Sequence, residues 1–486
     1  MGVAGLNVGI DSLLADLVSF MLGKLEHLSP VAGLDVLDED QQEMVRVAEQ
    51  WGFQDLDDKS LLEKSLQWRE EGITARYARD NEAAMTAFSR SLAALVTLYL
   101  RDKDNTNSLF ELGQAEFWVG YTHLDNGDLE QAERMMTYYG VIARRLINAD
   151  PKSAVNVMEL SYTLTNLGAI ETMRTGGDDD KAIYLAQAAL EYNQLALVLE
   201  PDNQENMTTM AGSHAWLADA WLGVCNLYKA NQSRLEGIAV VNQMLKQSPD
   251  DLGLLIDLSH GLGGLSHVQS RLGQVDLAKE NLSASATLLD DVIKRDNNKS
   301  GYAWDRLVRL GSLGQMMIDT GRVEEGRKLI SESTRLMAEQ YDPAGNLSFD
   351  KKLDVVMSLS HQSSLAIEME NKNEAIKLNL EAIRILSEMV SKSPDSVSGQ
   401  FRLAHALVQY WQLNEKLPRP EWQGQVEDYS LSKRSVRSCD FAALAARQAV
   451  MRGDLVAAKS HNDYLFDKKY REPGYMRFCQ AYGLCK

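Results

Sequence analysis

Histidines, cysteines, clustered glycines and an aspartate run are the residues of this 486-residue chain whose types could do chemistry. The histidines are His27, His123, His214, His260, His267, His361, His405 and His461. His260 and His267 share one helical face at i, i+7, about 10 Å apart by helical rise, too far for a common metal ion. No His-x3-His and no Cys-x-x-Cys pair occurs, so no metal site is expected. Cys225, Cys439, Cys479 and Cys485 read as free structural or surface thiols of a cytoplasmic protein. His260-Gly-Leu-Gly-Gly-Leu-Ser266 is rich in glycine. No strand pattern precedes it and no Gly-Lys-Ser/Thr follows, so it is neither a P-loop nor a dinucleotide fingerprint. Close helix packing or a local kink is expected there. Asp178-Asp179-Asp180 lacks the alternating ligands and distal glutamate of a calcium loop and reads as the cap of a following helix. No Gly-x-Ser-x-Gly or His-Glu-x-x-His order appears. The expectation is a non-enzyme without a cofactor.

The elements that would position these residues show in the punctuation. Pro151, Pro201, Pro249, Pro343 and Pro394 stand 50, 48, 94 and 51 residues apart, with Asp296-Asn297 at the junction the long step skips. Proline cannot continue a helix, and the Asp or Ser beside it can cap the next. Small residues repeat in phase: Gly72, Gly120, Gly168, Ala218, Ser266, Gly314 and Ser363 follow at steps of 48, 48, 50, 48, 48 and 49. A second small residue lies 12 further on at Ala84, Ala132, Ala278, Gly326 and Ala375, and Ala446 and Ala458 repeat that spacing. Ala182 lies 14 after Gly168, the surplus falling in Gly176 to Asp180. Polar turns with glycine separate the small residues at Gly127, Gly273, Gly321 and Gly453. The pattern predicts an all-α chain of about eight helical hairpins with a period of about 48 residues. Each helix would have about 20 residues and a length of about 30 Å. After Trp216 the next turn is expected late, around Asn231 to Leu235, as an insertion of about two helical turns. From Gly399 the pattern degrades, with a loop at Leu417 to Trp422 before a last hairpin at Ala442 to Tyr464. The expected division is a cap or docking segment at 1–60, a regular array at 61–396 and divergent repeats at 397–486.

This small–turn–small grammar, as in Val119-Gly120-Tyr121 … Gly127 … Ala132, resembles the tetratricopeptide (TPR) family over roughly residues 65–465. The resemblance implies a right-handed helical-hairpin solenoid that binds protein or peptide in its concave face. The period departs from the family's, which is about 34 residues. In the family mapping, first-helix residues around the small position face the groove. That makes Phe117, Tyr121, Leu124, Tyr162, Asn166, Trp216, Asp219, His267, Gln315 and His361 the candidate binding residues. The family's dicarboxylate clamp for chaperone tails is not matched: Asn166 sits near its place without basic partners. A second resemblance lies in Asp16 to Leu28 with Gly33 to Asp38, which is similar to the start of the C-terminal TPR region of multidomain bacterial signalling proteins. In that group the upstream segment is a protein kinase, a TIR domain, a winged helix or a caspase-like protease. The resemblance implies a sensor or regulatory half whose effector, such as a protease, kinase or similar enzyme, is a separate polypeptide or has been trimmed away.

The formal net charge of −19 argues against nucleic acid; the basic stretch Ser432 to Arg437 reads as a solvated turn. Asp11, Asp16, Lys24 and Glu26 interrupt the apolar N-terminus, so no spanning segment is expected. Ser12 to Leu22 reads instead as an amphipathic helix capped by Asp11, a solenoid cap or a docking helix. Self-association could use that helix or the Pro418–Trp422 loop. The functional expectation is an interaction scaffold or sensor that regulates a separate effector protein in bacterial signalling or defence. The alternatives are a groove that binds a peptide or small molecule directly, and an enzyme with a cryptic site.

Overall fold

A computed structural model of the chain describes residues 52–77, 80–174, 177–296, 300–340, 349–394, 396–415 and 437–485, with the single positions 46, 49 and 347. The N-terminal helix expected at Ser12 to Leu22, the Leu417–Trp422 loop and all of Ser432–Arg437 except Arg437 lie outside the described residues. Eighteen α-helices follow one another among the described residues. The regular ones are α1 (Asp58–Tyr77), α2 (Asn81–Arg101), α3 (Thr106–Asp125), α4 (Leu129–Ala149), α5 (Ala154–Met173), α6 (Asp179–Leu199), α7 (Gln204–Gly223) and α8 (Leu227–Gln247). They continue as α9 (Leu252–Arg271), α10 (Val275–Arg295), α11 (Ser300–Asp319), α12 (Val323–Gln340), α13 (Phe349–Glu368), α14 (Lys372–Lys392) and α15 (Val397–Asn414). Three shorter helices follow: α16 (Cys439–Met451), α17 (Leu455–Asp467) and α18 (Pro473–Ala481). First helices of hairpins begin at positions 58, 106, 154, 204, 252, 300, 349 and 397. These starts keep the spacing of the small residues, so the chain is all-α with the expected period. Its only described extended pairing is an isolated bridge between Arg174 and Ser396.

Two local devices set the period. The first is the turn. The backbone N–H three positions past the last residue of the helix donates to a carbonyl five positions back: Asp128 to His123, Asn226 to Trp221, Gln274 to Gln269, Arg322 to Met317, Asn371 to Ala366 and Asp454 to Ala449, all at 2.8–2.9 Å. This 6→1 bond is the Schellman closure, which needs a left-handed residue before the donor. Gly127, Gly273, Gly321 and Gly453 supply it at φ between 73° and 81°, but Cys225 and Glu370 take the same conformation without being glycine. The turn after Trp216 is accordingly on schedule at Cys225–Asn226, and the insertion expected at Asn231 to Leu235 does not exist; α8 runs straight through it. The missing glycine removed the sequence signal, while the Asn226 side chain still caps α8 by accepting from Lys229 N at 3.2 Å. The surplus before α6 is real: five residues separate α5 from α6 where three serve the other turns. Asp178 caps α6 there, accepting from Asp180 N and Lys181 N.

The second device is the crossing. The second-helix small residues Ala84, Ala132, Ala182, Ala278, Ala375 and Ala458 are fully buried, as is Ala230, which completes the series at the same spacing from Ala218. Two turns along the hairpin a second close approach is made by serine. Ser91 donates to Ser65 O at 2.9 Å, Ser161 to Ala189 O at 3.0 Å, Ser259 to Ser285 O at 3.0 Å and Ser333 to Leu307 O at 2.8 Å. A hydroxyl that bonds the facing backbone can be buried without leaving an orphan polar group.

The chain divides into two compact units: residues up to 170 with 187–206, and residues 171–186 with 207 onward. Phe88, Leu92, Leu95, Leu112, Val119 and Ile142 form the core of the first. The second has several smaller cores, among them Val356, Ile383, Leu386 and Leu407, and Leu227, Ala446, Leu465, Tyr475 and Cys479. One described helix, α2, is long and apolar enough to cross a membrane; its Phe88, Leu92, Leu95 and Val96 are buried in the first unit's core. The cysteines correct the expectation of free thiols. Cys225 is bonded to Cys439 and Cys479 to Cys485, with Cα separations of 5.1 and 5.2 Å, ordinary spacings for a disulfide. The first pair is 214 residues apart in sequence, so only the fold-back of the C-terminal helices brings it together.

Candidate ligand-binding chamber

The glycine-rich stretch of α9 is built to seat side chains. A Cβ on Gly261 would stand 2.9 Å from Ile238, one on Gly263 2.7 Å from the Arg309 guanidinium carbon, and one on Gly264 2.7 Å from that of Arg234. Two guanidiniums therefore lie on bare helix backbone, where any side chain would displace them. Arg234 is paired with Asp219. Arg309, whose Nε has no hydrogen-bond partner, is pushed below the usual arginine range by burial.

Beside this stretch the second unit forms a half-open cavity of about 680 Å³. The repeat supplies its inner wall. His267, Gln315, Ser364 and Gln412 all line it, each one repeat on from the last, and so do Ser312, His361 and Gln409. Successive first helices from α9 to α15 thus present recurring positions to one space. The C-terminal helices close it from the other side. Arg271 of α9 makes a bidentate pair with Asp440 of α16, at 3.0 Å from Nε and 2.5 Å from Nη2, and Tyr470 Oη donates to Asp440 at 3.2 Å. Arg471 N donates to Arg271 O at 2.6 Å. Arg477 of α18 reaches Asp319 of α11 at 2.6 Å and Glu368 of α13 at 2.7 Å.

The chamber mixes polar and apolar lining and is locally basic in a chain of net charge −19. Arg271, Arg402, Arg447 and Arg477 line it with Asp319, Asp440 and Glu472. Its histidines are neutral. Burial in the walls and the charges of Arg271, Arg309, Arg234 and Arg402 push His267 down to about 3; solvent reaches its ring from the cavity side. Burial and Arg402 push His361 to about 3, and burial with Arg447 and Arg402 does the same to His405. Asp319 is raised to about 6 by burial and by Glu472, against the pull of Arg477. Among the described residues no group of three or more His, Cys, Asp or Glu converges as a metal site would require.

The ten residues expected on a concave face divide between the units. In the second, His267, Gln315 and His361 meet in the chamber, while Asp219 is held by Arg234 and neither it nor Trp216 lines the cavity. Sequence reasoning misses Arg271, Arg402, His405, Gln409 and Asp440. Stepping one repeat forward from His361 finds Gln409; nothing in the sequence marks Asp440 as the partner of Arg271, 169 positions away. In the first unit, Phe117 stacks on Tyr121 at 5.6 Å and approaches Tyr162 at 6.2 Å, with the Arg76 guanidinium 4.6 Å over the Tyr121 ring. Asn166 is buried and donates to Tyr162 O at 2.8 Å. Leu124 is half-buried and its carbonyl accepts from Gly127 N in the turn.

Under that aromatic face lie two acids with opposite provision. Glu159 accepts from Tyr139 Oη and from Gln114 at 2.7 Å, yet burial raises it to about 7. Glu116 is 2% exposed, its Oε2 has no partner, and burial raises it to about 8. A carboxyl with a raised folded-state pKa stabilises fully below its unfolded value of 4.5 and loses that contribution as pH rises through the folded value. Thermal stability is therefore expected to fall between pH 5 and 8, each group contributing about 1.4 kcal/mol per pH unit of its window. Glu116→Gln should flatten the decline in a pH series of melting curves; an unchanged slope would show that Glu116 is not protonated in the fold.

No protein-family model matches the chain, and no curated protein matches it. Several solved structures align to it at low similarity. The apo quorum sensor NprR from B. thuringiensis aligns at 12% identity over 84% of this chain and 99% of its own, with a TM-score of 0.44. Aspartyl phosphate phosphatase F from Bacillus subtilis aligns at 13% identity over 86% and 96%, with a TM-score of 0.44. A signal-transduction ATPase with a tetratricopeptide-repeat sensor from Pyrococcus horikoshii aligns at 14% identity over 79% and 52%, with a TM-score of 0.38. Likeness at this level says nothing of ligand or partner. By its own hairpins, crossings and Schellman turns, the chain is a tetratricopeptide-type helical-repeat protein with an elongated unit.

Proposed function

We propose that this protein is a non-enzymatic regulator that binds a peptide or small molecule in the chamber of its second unit and acts on a separate effector protein. The observation that carries the reading is the chamber itself, a half-open cavity of about 680 Å³ whose wall is repeated from α9, α11, α13 and α15 and bounded on the other side by the C-terminal helices. Ligand sites commonly enclose about 300–1,000 Å³. Its histidines are too weakly basic to take protons at neutral pH, which suits recognition better than acid–base catalysis. The C-terminal helices that close it are joined to the array through side-chain ion pairs facing the cavity, so an occupant and those helices share contacts. Differential binding to two arrangements is what allows a ligand to bias a partner.

Native mass spectrometry of protein isolated gently from its own host tests the reading. The expected result is a stoichiometric bound mass carried by the wild type and lost in Ser364→Trp, which fills the cavity from α13. Equal retention by both proteins would place the ligand elsewhere and overturn the chamber as the site.

A further inference from the structure

The four arginines of the chamber are not equivalent. Arg271 is held by Asp440, Arg477 by Asp319 and Glu368, and Arg447 lies over the rings of Tyr475 and Phe478 at 5.3 and 5.1 Å. Arg402 of α15 has no carboxylate: its one hydrogen-bond contact among the described residues is a 3.9 Å approach of Nη2 to the sulfur of Met357. A guanidinium offers five donors in a fork that fits a carboxylate or phosphate, and here that fork is left without an acceptor of matching charge. His361 and His405 stand close enough to feel its charge, and as neutral rings each keeps an N–H to donate. Ser360, Ser364 and Gln409 add neutral donors to the same wall.

We propose that Arg402 is the receiving group for an oxyanion on the ligand, a carboxylate or phosphate that seats between Arg402, His361 and His405. The inference rests on the chamber being the ligand site and adds the ligand's chemistry. A guanidinium kept without a partner costs stability in the empty protein, because half-buried charge is desolvated without a compensating pair. Burial indeed pulls Arg402 below the usual arginine range, against the more distant Asp440 and Asp354. The site is in this sense preset for an incoming negative charge. Neutral histidines fit the same role, since they add donors without adding charge that would bind solvent anions indiscriminately.

Thermal shift with inorganic phosphate and with succinate, each against sodium chloride at matched ionic strength, tests this. The wild type should gain about 2–4 °C with at least one of the two, phosphate alone indicating a phosphorylated ligand and succinate alone a carboxylate. Arg402→Met should melt at or above the wild-type temperature without anion and show no anion-specific gain. A wild type that responds to neither anion, or an Arg402→Met protein that responds equally, overturns the assignment. A destabilised Arg402→Met would do the same, since it would make Arg402 a structural group. The chamber reading fails separately: an anion response that survives Ser364→Trp removes the chamber, whereas a native bound mass retained by Arg402→Met and lost by Ser364→Trp keeps the chamber and removes the oxyanion.

Discussion

Gly326→Ala is expected to destabilise the second unit by about 3 kcal/mol, against the direction that helix propensity alone dictates. In a free helix interior the same change stabilises by about 1 kcal/mol. At Gly326 the added Cβ would stand 2.6 Å from the carbonyl oxygen of Gly314 and 2.7 Å from Ile318. The reciprocal Cβ on Gly314 would meet Ile330 at 2.7 Å and the Gly326 carbonyl at 3.0 Å. Backbone lies on both sides of the crossing, so α11 and α12 must separate rather than a side chain rotate. Gly212 of α7 is the control: nothing lies within 4 Å of its missing Cβ, so Gly212→Ala should raise stability. Urea denaturation midpoints of the two variants should move in opposite directions. If both rise, the close crossing of α11 and α12 is not what requires glycine at 326.

Asp440→Asn is expected to cost about 2–3 kcal/mol, at or just below the lower bound of what breaking a buried pair costs. The reduction follows from exposure: the Arg271 and Asp440 side chains remain 23% and 32% accessible, and solvent screens part of the interaction. The variant leaves the Arg271 guanidinium facing an amide, and removes an acid from the first turn of α16, where the helix dipole favours it. Asp440 is held below the ordinary aspartate range by Arg271 and Tyr470, despite its burial. A depressed folded-state pKa gives stability that is present above the unfolded value of 3.8 and lost as pH falls through the folded one. The wild type should therefore lose this contribution on acidification below about pH 4, and the asparagine variant should not. Melting temperatures at neutral pH and at pH 3 check both halves. A variant as stable as wild type at neutral pH would mean that the Cys225–Cys439 bond and the apolar packing around it hold α16 without the ion pair.

The repeat is legible in the chain before it folds. Period, helix length, most hairpin turns and the small residues at crossings are set by near neighbours in sequence, because helix caps, turns and hairpin crossings are local interactions that leave residue-type signatures. That legibility fails where a signature is replaced by context: Cys225 takes a left-handed turn position without being glycine, and its turn is expected several positions late. Half of what makes the candidate site also follows from the period, since His267, Gln315 and His361 recur in register and do meet in the chamber. The other half exists only once the helices are packed. Arg271 with Asp440, Arg477 with Asp319, and Cys225 with Cys439 are pairs 169, 158 and 214 positions apart, made when the C-terminal helices fold back across the array. Charge neutralisation acts through space and leaves no spacing in the chain. For the same reason the sequence could not show that Arg271 and Arg477 are satisfied within the protein while Arg402 is left facing the cavity.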